Sequence, residues 1–215
     1  MADDLSTWKL VYAERERLAD LFATFDDDQW ATMSLCRGWS VQMCAAHIMT
    51  SGEQTSLRFI RQLVANGFRF NVMIDKTAIK LGRLDTAEII ERIRARTATT
   101  NKAPAPVVAM LGEAVVHGLD IRTPLNLVDD IDPVAKIACL NNFIGSNFPI
   151  PARRFVDGLS LHATDLDWKH GTGPGVSGSS QSLLLAVTGR TMGLRSLSGE
   201  GLDTLTQRVN QHAMS

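Results

Sequence analysis

The sequence predicts a mainly α protein, with a four-helix bundle over residues 1–148 and a small α+β domain over residues 149–215. Three observations lead there. Apolar residues recur at three- and four-residue steps from Trp8 to Phe143, caps and breakers divide those runs, and the pattern changes to alternation and glycine-rich turns past Phe148-Pro-Ile-Pro151. At 215 residues and 45% hydrophobic, the chain suits one large domain or two small ones with an ample core.

Residues 6–25 read as an amphipathic helix, with Trp8, Val11, Leu18, Phe22 and Phe25 at helical steps and Ser6 or Thr7 able to cap it. Asp26-Asp-Asp suits a turn whose carboxylates favour the start of a short helix. Gly38 then supports a tight turn, and Ser40 caps a helix expected from Val41 to about Val64, ended by Asn66-Gly67. Asn71 to Leu81 has helical spacing, and Asp85-Thr-Ala-Glu88 opens a third major helix with Ile89, Ile90 and Ile93 inward. Arg92, Arg94 and Arg96 complement the end of that helix.

After the proline-rich linker 101–106, the fourth helix runs from about Pro106 to before Pro124. Asp132-Pro133 opens a further helix to about Phe143. In the tail, Leu159 to Thr164 alternates as a strand and Leu166-Asp-Trp-Lys is its expected partner. Ser179 or Ser180 caps a helix ending at Gly189. The glycine-rich turn between them has no phosphate-loop spacing.

Net charge of -1 leaves no electrostatic footprint for nucleic acid or a membrane surface, so neither is an expected partner. No apolar run approaches the roughly 20 residues that span a bilayer. The acidic start lacks a secretory layout, and three cysteines without C-x-x-C spacing read as reduced thiols. A cytoplasmic location is the expectation.

Chemistry concentrates in Glu113-Ala-Val-Val-His117-Gly-Leu-Asp120. On a helix, Glu113 and His117 lie about 40° apart on one face and can reach one ion. His47, on another helix, offers a third ligand, which leaves a divalent ion with open coordination. The apolar flanks argue against a solvated pair, although a hydrogen-bonded core histidine also satisfies them. Asp120 either orients a ligand histidine or pairs with Arg122 or another arginine. Cys36 and Cys44 read as small core hydrophobes, Cys44 one turn from His47.

Leu35-Cys-Arg-Gly-Trp39-Ser-Val with His47 resembles the C-x-G-W-[ST]-V…H opening of the mycothiol-dependent maleylpyruvate isomerase family. Glu113-x-x-x-His117-Gly-x-Asp120-Ile-Arg122 is similar to that family's second signature, and Ala163-Thr-Asp165 through Gly189-Arg190 to its C-terminal domain. The resemblance implies a DinB-like bundle followed by a sterol-carrier-like domain. It implies a divalent metal on His47, Glu113 and His117, zinc fitting best, with Asp120 behind them. It further implies mycothiol as cosubstrate of an isomerase or S-transferase acting on a small electrophile. Arg190 is then the candidate catalytic residue from the C-terminal domain, with capping of its own helix end as the alternative. The metal site alone also admits a metallohydrolase without thiol, or a non-catalytic, stress-related metal-binding protein.

Overall fold

Helix α1 (Ala2–Phe22) opens the computed structural model, which describes residues 2–213 and divides into units at Val128/Asp129. It buries Val11, Leu18 and Phe22, and it begins upstream of the Ser6/Thr7 cap that the sequence suggests. Asp26 starts α2 (Asp27–Ala31) through a reciprocal box: its carboxylate accepts from Gln29 N, and the Gln29 side chain accepts from Asp26 N. Gly38, at φ +78°, turns the chain so that Trp39 is buried and Ser40 caps α3 (Val41–Glu53) by accepting from Met43 N.

The single helix expected over 41–64 is broken. Thr50 and Ser51 bond back to the carbonyls of His47 and Ile48, Gln54 and Thr55 are extended, and the Thr55 hydroxyl accepts from Arg58 N to start α4 (Ser56–Ala65). Hydroxyl side chains that compete for helix carbonyls, followed by a good capping residue, outweigh the continuing apolar period. α4 leaves Leu57, Ile60 and Val64 exposed. α5 (Phe70–Leu81) ends at Gly82, and Asp85 caps α6 (Thr86–Ala95), which buries Ile89 and Ile93. Arg92 forks onto Glu53 and Arg94 pairs with Asp20, so these arginines tie α6 to its neighbours as well as facing water.

α7 (Val107–Arg122) completes a four-helix arrangement in which α1 and α3 each pack on both α6 and α7. Between α1 and α7, Arg122 Nη1 donates to Glu14 Oε1 at 3.2 Å, with Arg122 1% and Glu14 0% exposed. Gly118 makes room for this pair, since a Cβ there would stand 2.7 Å from Arg122 Nη1. After α7, Asn126 takes the left-handed conformation (φ +54°) that asparagine tolerates.

The second unit starts with α8 (Pro133–Ile144), capped by Asp132, and α9 (Ala152–Val156). α8 packs on α9 and on α10 (Ser180–Val187), so the units part before it and not at 148/149. β1 (Ser160–Ala163) lies between β2 (Lys169–His170), antiparallel, and β3 (Gly175–Gly178), parallel. The strand partner expected at 166–169 is shifted, because Trp168 N bonds Leu166 O in a turn and Trp168 Nε1 donates to Asn141. The glycine-rich turn runs into a strand the sequence did not suggest. Asp165 accepts from Ser180 N and Oγ at the start of α10, and α11 (Thr191–Leu194) and α12 (Leu202–Ala213) follow. Among the described residues, no helix is long and apolar enough to cross a membrane.

Glu14 and Arg122 are both removed from water, and Glu14 also accepts from Arg17, so cutting Glu14 breaks a buried charge network inside the bundle. Glu14→Ala is expected to destabilise the first unit by about 3–5 kcal/mol, measured by urea unfolding followed by helical circular dichroism.

Candidate metal centre

α3 and α7 pack together, and each turns one end of the site inward. Ser40 fixes where α3 begins, which places His47 about two turns in, at 6% exposure. On α7, Glu113 and His117 share a face, as the four-residue step dictates. His47 Nε2 lies 2.8 Å from Glu113 Oε2, and His117 Nε2 lies 3.6 Å from the same oxygen. One donor from each of the three residues falls within 4.8 Å of the others.

Ligands about 2.0–2.2 Å from one tetrahedral ion stand about 3.4 Å apart, so the two shorter separations need only small side-chain adjustments to fit. A nitrogen–nitrogen–carboxylate set suits zinc and also admits other first-row divalent ions. Glu113 is the most open of the three side chains, at 32% exposure against 8% for His47 and 14% for His117. The site therefore opens on its carboxylate side.

His117 is held from behind. Its Nδ1 donates to Asp120 Oδ2 at 2.9 Å, and the Asp120 side chain is fully buried. This pairing aims Nε2 at Glu113 and His47. Of the two roles open to Asp120, the contact to His117 is present, and Arg122 donates to Glu14. His47 has no such partner for its Nδ1 among the described residues and is positioned by packing, with the Trp39 ring 5.2 Å away. Trp39 is itself pinned by Nε1 donating to Asp75 Oδ1 at 3.1 Å.

Two cysteines enter this network. Cys36 Sγ donates to Asp120 Oδ2 at 3.0 Å and lies 3.4 Å from His117 Nδ1. Cys44 Sγ lies within 4.8 Å of Cys36 Sγ and 3.7 Å from His117 O. Cys36 is thus part of the polar cluster and not simply a core hydrophobe. The sequence carried one clue, the placement of Cys44 one turn from His47; nothing in it brought Cys36 to Asp120.

The Cys44 hydrogen bond, opposed by burial and aided by His117, lowers the Cys36 pKa to about 6. Burial disfavours a charged His117 ring, but Cys36, the Asp120 hydrogen bond and Glu113 outweigh it and hold its pKa well above the ordinary histidine value. Any cation taken up there would compete with a proton for that ring. Arg190 belongs to the second unit, where its Nη1 donates to Thr188 O at 2.7 Å, a bond at the end of its own helix.

Residues 11–109 match the family model described as the mycothiol maleylpyruvate isomerase N-terminal domain. The match includes Cys36, Trp39 and His47 and stops before Glu113 and His117. No curated protein matches the sequence. Among solved structures, the mycothiol-dependent maleylpyruvate isomerase superposes with a TM-score of 0.64 at 14% identity, covering 92% of each chain. A histidine-to-alanine variant of it gives a TM-score of 0.62 at 13% identity, again over 92% of each chain. Residues 11–109 thus match that N-terminal domain family, and the chain as a whole shares the fold of the mycothiol-dependent maleylpyruvate isomerase.

Proposed function

We propose that this chain is a metal-dependent enzyme that uses a low-molecular-weight thiol, mycothiol, to isomerise or S-transfer onto a small electrophile. The observation that carries the reading is the convergence of His47 Nε2, Glu113 Oε2 and His117 Nε2 from two helices, with Asp120 fixing the third donor from behind. The match of residues 11–109 to a mycothiol enzyme's domain supports the choice of thiol over water.

In this reading His47, Glu113 and His117 hold the divalent ion, zinc suiting the set best. When bound, such an ion stabilises a thiolate at neutral pH and keeps a coordination position open for it. The chain's own residues do the rest. Glu113 lowers the positive charge of the site and lines its open side. Asp120 keeps the proton of His117 on Nδ1, so that Nε2 presents its lone pair. Trp39, held by Asp75, covers His47 and excludes water from that flank.

Purified protein is expected to turn over a conjugated electrophile with mycothiol and to lose that activity without the thiol or after chelation. Turnover that persists without any thiol would overturn the thiol reading and point to hydrolysis. His117→Ala and Glu113→Ala are each expected to abolish stoichiometric divalent metal, by elemental analysis, while leaving the helical spectrum intact. Asp120→Asn is expected to weaken metal affinity about 10–100-fold, read by competition with a chromophoric chelator.

A further inference from the structure

The described residues contain a thiol pair that the proposed chemistry does not use. Cys36 sits in the turn before α3, partly exposed, and Cys44 sits in the first turns of α3, fully buried. Their sulfurs belong to a group of donor atoms that all lie within 4.8 Å of one another. A disulfide needs about 2.05 Å between sulfurs, a distance that side-chain rotation can supply where the two already lie within 4.8 Å and one belongs to a turn.

We infer that Cys36 and Cys44 form an oxidisable pair, in which a hydroperoxide attacks at Cys36 and Cys44 resolves the product to a disulfide. The accessible member reacts first: Cys36–SH and ROOH give Cys36–SOH and ROH. Cys44–SH then displaces water from that sulfenic acid, giving the Cys36–Cys44 disulfide and H2O. Two thiols are oxidised by two electrons, and the peroxide is reduced. Burial shields Cys44 from direct attack while leaving it within 4.8 Å of the sulfur it must reach, the layout of an attacking and a resolving thiol.

The pair stands on its own geometry, whether or not the neighbouring site holds a metal. Its consequence reaches that site, because the disulfide draws Cys36 Sγ away from Asp120 Oδ2, the oxygen that also holds His117 Nδ1. Oxidation therefore alters the carboxylate that orients His117.

Reduced full-length protein, treated with hydrogen peroxide and then catalase, is expected to fall from three titratable thiols to one, Cys139 surviving. Tryptic cleavage after Arg37 separates the two cysteines, so the link appears as a cross-linked peptide pair that dithiothreitol reverses. Cys44→Ala is expected to stop at a sulfenic acid on Cys36, trapped there by dimedone. Cys36→Ala, at the more exposed position, is expected to keep both remaining thiols. Three thiols persisting in the treated protein, thiol loss in Cys36→Ala, or oxidation confined to Cys139 would each overturn the inference. These readouts are thiol counts and peptide links, so they are scored apart from mycothiol-dependent turnover of the reduced protein.

Discussion

The Asp120 carboxylate is the point on which the site depends. A carboxylate without solvent contact is costly unless hydrogen bonds compensate it. Here the partners of the carboxylate include groups that matter elsewhere, His117 Nδ1 and Cys36 Sγ, while Leu35 N separately donates to the Asp120 backbone carbonyl. That single residue fastens the 33–39 turn to α7, and the turn brings Trp39 over His47 and the cap to the start of α3. The positions of both histidines therefore rest, directly or through Trp39, on keeping one buried charge satisfied.

α7 serves two neighbours at once. One face carries Glu113 and His117 toward α3, and another carries Gly118 and Arg122 toward α1, where Glu14 waits. A small residue at 118 is required for this, because the guanidinium occupies the space a side chain would need. Charged groups on apolar helices thus have two different answers within sixteen residues of sequence: a buried contact of opposite charges on one side, and an open cluster of candidate ligand atoms on the other.

Much of this was legible in the chain. Capping residues placed the starts of α3, α6 and α8 correctly, because Ser40, Asp85 and Asp132 act through local geometry that sequence displays. His47, Glu113 and His117 stood out because polar groups on apolar helix faces need partners, and the structure brings those three together. What the pattern could not show is pairing over long separations. The Glu14–Arg122 and Cys36–Asp120 contacts span 108 and 84 residues, and no periodicity encodes them. The break at Gln54–Thr55 escaped because hydroxyl side chains turned back onto the helix while the apolar spacing ran on. In the second unit, β3 was hidden in a run of glycines that reads as a turn, since its strand identity comes from lying beside β1 and not from its own side chains.

The spacing of the donors along the chain has a thermodynamic corollary. His47 and Glu113 are 66 residues apart, so any ion grasped by both fastens a long loop that exists only in the native state. Occupancy and folding are then linked equilibria: whatever loads the site also raises the melting temperature, and whatever loosens the packing of α3 on α7 lets the ion escape. For a loaded molecule, release of the ion and loss of the native chain topology would then be steps of one process.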